Sequence, residues 1–133
     1  MPEGGRYEKI PRPESIEYFI NAISGHSKVQ EVNQIDTQLF EVIKKNGKRL
    51  LVHLTNYYIV TAAEVIEILS QSPDIDAIVT ISQWNQWSES GREQAISQGV
   101  GLFIMRQFMG ALNFDGQRFY QFLTADQREK YKY

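Results

Sequence analysis

Glu41, His53 and Thr55 are the residues whose types and spacing suggest chemistry. They sit within "LFEVIKKNGKRLLVHLTNYY", residues 39–58. A glutamate can ligate a hard cation such as Mg²⁺ through oxygen. An imidazole titrates near neutrality and can move protons, and a hydroxyl can donate or accept. With His26 and His53 as the only histidines, and no nucleophile placed beside either, no Ser-His-Asp set is legible. The sequence implies no resident cofactor; a weak Mg²⁺ site would need a second carboxylate, Asp36 or Glu17, to join Glu41. No GxxxxGK[ST] or GxGxxG motif offers a phosphate cradle. The absence of cysteine excludes disulfides and thiolate metal sites.

A second group of residues suits binding. Lys44, Lys45, Lys48 and Arg49 bunch around one turn, and "SQWNQW" brings Trp84 and Trp87 into a polar stretch with Arg92 following. Indole rings stack on bases, and lysine and arginine meet phosphates, so these are the nucleic-acid candidates. Each has a plainer role: a solvated charged face for the lysines, and closure of the core for the tryptophans. The net charge of −2 disfavours a dedicated nucleic-acid binder, which ordinarily carries a basic field.

The elements that position these residues follow from periodicity. Asn46-Gly47 between two apolar runs marks a hairpin. A two-residue turn would set Glu41 on the face of Leu39, Ile43, Leu50, Val52 and Leu54. A three-residue loop with Gly47 in the left-handed position shifts pairing by one residue. Phe40, Val42, Leu50, Val52 and Leu54 then share an apolar face, and Glu41, His53, Thr55, Thr37 and Arg49 share the other with Leu39, Ile43 and Leu51. Burying an unpaired carboxylate costs several kcal/mol, roughly, so the bulged turn is expected.

Before the hairpin, "PESIEYFINAISG" repeats Ile16, Phe19, Ile20 and Ile23 at helical spacing, and "KVQEVNQI" reads as a strand. After it, "TAAEVIEILSQSP" predicts a helix with a Thr61–Glu64 capping box and an Ala62, Val65, Ile66, Leu69 stripe. "IDAIVTIS" has the β-branched run of a strand buried on both faces. The loop "QWNQWSES" then leads to a helix capped by Ser90 and Glu93, a strand at "VGLFIM" and a short helix at "RQFMGALN". Gly91 and Gly99 read as punctuation. The expected fold class is α/β, a three-layer domain with a central mixed sheet flanked by helices. Residues 1–12 read as a flexible leader with no secretory signal, 13–113 as the domain, and 114–133 as a helical tail packing on the domain or a partner.

The order of helix, three antiparallel strands, helix and strand over residues 13–113 resembles the αβββαβ core of the restriction-endonuclease-like superfamily, the PD-(D/E)xK nucleases, and its Mrr-like branch in particular. The resemblance places Glu41 at the family's first aspartate, His53 at its Glu/Gln and Thr55 at its lysine. In active members two acids hold magnesium and the lysine helps activate water. Here His53 is a poor magnesium ligand and Thr55 carries no charge, so the resemblance implies a degenerate site. Three functions stay open: a protein-interaction scaffold or subunit, a nucleic-acid-binding protein of the same fold, and a metal-dependent nuclease with an unorthodox site.

"MRQFMGAL" and the aromatic tail (Phe114, Phe119, Tyr120, Phe122, Tyr131 and Tyr133) suggest a protein partner or homodimer contact. No apolar run approaches the roughly 20 residues of a membrane helix, and a cytoplasmic address is expected.

Overall fold

The structure is a computed structural model that describes residues 10–82 and 84–123. Its first helix, α1 (Pro13–Ser24), begins at a proline, which tolerates the first turn because its missing N–H would have no partner there. Phe19 and Ile23 face inward, and the N–H of Gly25 closes the helix on the carbonyl of Asn21. Three strands follow, β1 (Val29–Gln34), β2 (Leu39–Lys44) and β3 (Arg49–Thr55), each antiparallel to the one before.

The hairpin takes the bulged register. Phe40 pairs with Val52 and Val42 with Leu50, and the N–H of Lys44 meets the carbonyl of Lys48 at 2.8 Å. Lys45, Asn46 and Gly47 form the loop, with Gly47 at φ 91°, a left-handed conformation that a side chain would strain. Keeping Glu41 off the aliphatic face is the physical reason, as polarity segregation predicts.

The chain then forms β4 (Ile59–Val60), α2 (Ala62–Gln71), β5 (Ala77–Thr80), β6 (Gln86–Trp87), α3 (Glu89–Ser97), β7 (Gly101–Ile104), α4 (Met105–Ala111) and α5 (Gln117–Tyr120). The main sheet has the order β1-β2-β3-β5-β7, with β5 parallel to both β3 and β7. Phe40, Val42, Val52, Leu54, Val79 and Phe103 pack against α1, α4 and α5 through Phe19, Phe108 and Phe119. On the other face Leu39, Leu51, Ile78 and Leu102 pack with Val65 and Ile68 of α2 and Ala95 of α3. The domain is thus α/β, a mixed sheet between helical layers.

Several local expectations change. On α2 the buried residues are Val65 and Ile68, while Ile66 is exposed. The Glu64 carboxylate accepts from the Thr61 N–H at 2.7 Å and Glu67 accepts from the Tyr57 hydroxyl at 2.7 Å, which together set the helix's rotation. Next, α3 starts earlier than predicted, because Ser88 rather than Ser90 caps it by accepting from the Gly91 N–H at 3.0 Å. Finally, "QWNQWSES" is not all loop, since β6 pairs in parallel with β4 in a separate two-stranded sheet.

Gly91 is a contact rather than punctuation. A Cβ there would lie 2.4 Å from the carbonyl oxygen of Val60, so α3 packs directly on the backbone at the end of β4.

Candidate functional site

Glu41, His53 and Thr55 do share a face of the hairpin, as the register requires. Leu39 pairs with His53 and Glu41 with Leu51, so the acid and the imidazole are diagonal neighbours. That face is the one covered by α2 and α3. His53 is 8% exposed and flanked across the sheet by Leu39 and Ile78, and Thr55 is fully buried opposite Thr80.

Glu41 lies nearer the hairpin turn than His53 and is already engaged. One carboxylate oxygen accepts from the Asn33 amide at 2.9 Å and the other pairs with the Arg49 guanidinium. Arg49 first, then Asn33, hold the Glu41 carboxyl below the ordinary carboxylate range. Asp36 turns its carboxylate onto the N–H of Thr37 at 2.8 Å, and Glu17 is exposed on α1. Among the described residues no group of three or more His, Asp or Glu converges to hold a metal ion.

Beyond Thr55 a polar network fastens the carboxyl ends of β3 and β5. The Thr80 hydroxyl donates to the carbonyl of Tyr57 at 2.7 Å and accepts from Asn85 at 2.9 Å. Asn85 also donates to the side-chain oxygen of Asn56 at 2.9 Å, and Ser82 donates to that oxygen at 2.8 Å. Burial, with Glu67 beside it, pushes the Tyr57 phenol above its usual range. These polar side chains at the end of the strand satisfy one another and anchor the loop after β5.

The basic turn divides in the same way. Lys44 is 2% exposed; its ammonium donates to Asp115 at 2.7 Å and to the carbonyl of Phe114 at 3.0 Å. Arg49 is bound to Glu41. Lys45 and Lys48 remain exposed at the tip, joined by Lys28, whose carbonyl accepts from the Lys45 N–H at 2.9 Å. Lys44 is therefore corrected from a phosphate-facing residue to a structural one, because its charge is spent inside the domain.

The tryptophans also separate. Trp84 is 73% exposed, whereas Trp87 is buried, its indole N–H donating to Gln107 at 2.8 Å. Arg92 is 2% exposed and lies 5.0 Å over the Trp87 ring. Neither Trp87 nor Arg92 can meet a nucleic acid from inside the core; Trp84 can. Tyr58 and Ile59, which the sequence did not single out, are exposed in and beside β4.

The tail closes on its own domain as far as it is described. Phe114 stacks on Phe122 at 5.7 Å, and Phe119 meets Phe103 edge-on at 5.2 Å. Tyr131, Tyr133 and the leader's first nine residues lie outside the described residues. No helix among those described is long and apolar enough to cross a membrane.

The residues missed from sequence are the partners of the candidates. Asp115 neutralises Lys44 from 71 positions away, and no local spacing signals it. The Asn56, Ser82 and Asn85 set could have been found only through the strand ends it joins. Comparison with protein-family models, with curated proteins and with solved structures gave no match to this chain.

Proposed function

We propose that this chain is a restriction-endonuclease-like domain that no longer cleaves phosphodiesters and works as a protein-binding module. One observation carries the reading. At the three positions that the resemblance assigns to catalysis, Glu41 is tied to Arg49 and Asn33, and His53 and Thr55 are buried beneath α2 and α3. Magnesium-assisted hydrolysis needs open oxygen ligands and room for water and phosphate. The strand order, with a hairpin followed by parallel strands, agrees with the αβββαβ pattern. Exposed Tyr58, Ile59 and Trp84 give a surface of the aromatic kind enriched at protein interfaces.

The test has two arms. Plasmid and single-stranded DNA are incubated with the chain and Mg²⁺ or Mn²⁺, beside Glu41→Gln. No cleavage above the variant is expected; cleavage abolished in Glu41→Gln overturns the reading. In the other arm, proteins retained by the chain from its native host are purified and titrated against it. Tyr58→Ser/Trp84→Ser is expected to weaken that binding, and a partner set identical for both refutes this surface.

A second reading, nucleic-acid binding, is favoured by the gathering of Lys28, Lys45 and Lys48 at one end of the domain. It requires DNA or RNA affinity that falls steeply with salt, and Lys48→Ala should flatten the log–log slope by about one unit.

A further inference from the structure

The main sheet has two edges, and the chain treats them differently. At β7 the following segment passes round the edge: Phe119 packs on one face with Phe103, and Leu123 packs on the other with Val100 and Leu102. Beyond β1 no strand among those described adds to the sheet. The Ile35 N–H donates to the Leu39 carbonyl at 2.8 Å, and Asn33 and Glu31 stand opposite Glu41 and Ile43. These alternate residues therefore turn their backbone groups to β2. Val32 and Gln34, between them, each turn an N–H and a carbonyl away from the sheet. An edge of this kind is a template for another strand. β1 has no proline and a single charged residue, Glu31, to guard it. The bulge between Val29 and Glu31 confines the regular edge to the second half of the strand.

The surroundings select the strand that is added. Lys28 stands before β1 and Asp36 after it, and both are exposed. A second copy of this chain, antiparallel to β1 and centred on Val32, sets its Asp36 beside Lys28 and its Lys28 beside Asp36. The same two-fold puts Glu31 across from Asn33 in both halves, an acid facing an amide rather than another acid. A two-fold contact has to satisfy itself in this way, with residue i meeting j and j meeting i. The flanking surface is apolar. Ile16 and Ile20 of α1 line a groove of about 480 Å³ that reaches Gln34, and Ile35 at the end of β1 is 52% exposed.

We infer that two copies of this chain join through β1, antiparallel about Val32, into one continuous sheet, with Ile16 and Ile20 of both α1 helices flanking the join. The contact is separate from the surface of Tyr58 and Trp84 and goes beyond the protein-binding reading, which stands or falls without it.

Sedimentation velocity of the full chain over a range of concentrations reads the mass directly, and circular dichroism confirms that each variant folds. A dimer is expected. Lys28→Asp and Asp36→Lys each set like charges together at both ends of the join and should weaken the dimer about tenfold. Mixing the two variants should restore a one-to-one dimer, since each end then meets its opposite. Gln34→Pro removes an N–H that faces away from β2, leaves the ladder between β1 and β2 whole, and should also weaken the dimer about tenfold. Tyr58→Ser/Trp84→Ser should leave it unchanged. A monomer at every concentration overturns the inference, as does a dimer indifferent to Gln34→Pro or to either charge reversal. So does a mixture of the two reversed chains that stays monomeric, or a dimer lost in Tyr58→Ser/Trp84→Ser. A monomeric chain that retains native proteins but loses them in Gln34→Pro overturns the second copy in favour of a strand from another protein.

Discussion

Lys44 and Asp115 offer the sharpest energetic test, because the two ends of the pair differ in burial. The Lys44 side chain is 3% exposed and that of Asp115 is 40% exposed. Removing Asp115 leaves a buried ammonium with the Phe114 carbonyl, whereas removing the charge of Lys44 leaves a carboxylate that water can reach. Breaking a buried pair from one side costs about 3–5 kcal/mol, and the access of water at Asp115 reduces this to about 2–3 kcal/mol for Asp115→Ala. Lys44→Met keeps the apolar stem and should cost about 0–1 kcal/mol. In the double variant the second change should add almost nothing, giving a coupling near 2 kcal/mol. Urea denaturation measures all of this. With a slope of about 1–3 kcal/mol/M, Asp115→Ala should lower the midpoint by roughly 1 M or more. Equal costs in both Lys44 backgrounds, or a cost for Lys44→Met above that for Asp115→Ala, would refute the assignment. Nucleic-acid retention, if any, should not change in Lys44→Met.

Two further outcomes follow from the packing and the charges. Gly91→Ala forces a Cβ against the Val60 carbonyl and should destabilise by about 1–3 kcal/mol, seen as a lower urea midpoint; an unchanged midpoint would mean that α3 is not seated on β4 as described. Asp115 and Glu41 have carboxyls held below their usual range by Lys44 and Arg49 respectively, so the unfolded chain binds more protons than the folded one in acid. Their stabilisation is full above the unfolded carboxylate pKa, about 4, and is lost as pH falls through the folded values. Midpoints taken from pH 7 down to pH 3 should decline, and Asp115→Asn should make the decline shallower; a steeper decline in the variant contradicts the sign.

What was legible depended on whether the deciding interaction was local. The hairpin register could be worked out because Glu41 had to leave the aliphatic face, a choice made within a few residues of Gly47. The Thr61–Glu64 cap was legible for the same reason. Trp84 and Trp87 look alike in sequence and differ because Trp87 pairs with Val60, in a ladder of two residues too short to leave a period, and bonds to the distant Gln107. Lys44 reads as one of a cluster until Asp115 arrives from the far end of the chain. Gly91 carries no sign that Val60 lies against it.

These placements bear on where a ligand can be met. The face of the sheet that carries His53 and Thr55 is roofed by Val65, Ile68 and Ala95, so a substrate could reach it only by lifting α2 or α3 from the core. Each of those helices is anchored at its start, α2 by Glu64 and α3 by Ser88 and the Gly91 contact, and lifting either would expose several fully buried side chains. Burying a large aliphatic side chain is worth about 1.5–3 kcal/mol, so opening three of them would cost much of the roughly 5–15 kcal/mol that holds a domain together. Binding at the rim demands nothing of the kind. Tyr58 and Trp84 already face solvent near the carboxyl ends of the strands, on segments held by the Asn56–Ser82–Asn85 network. A ligand met there keeps the core intact, which favours recognition at the edge of the sheet over chemistry on its covered face.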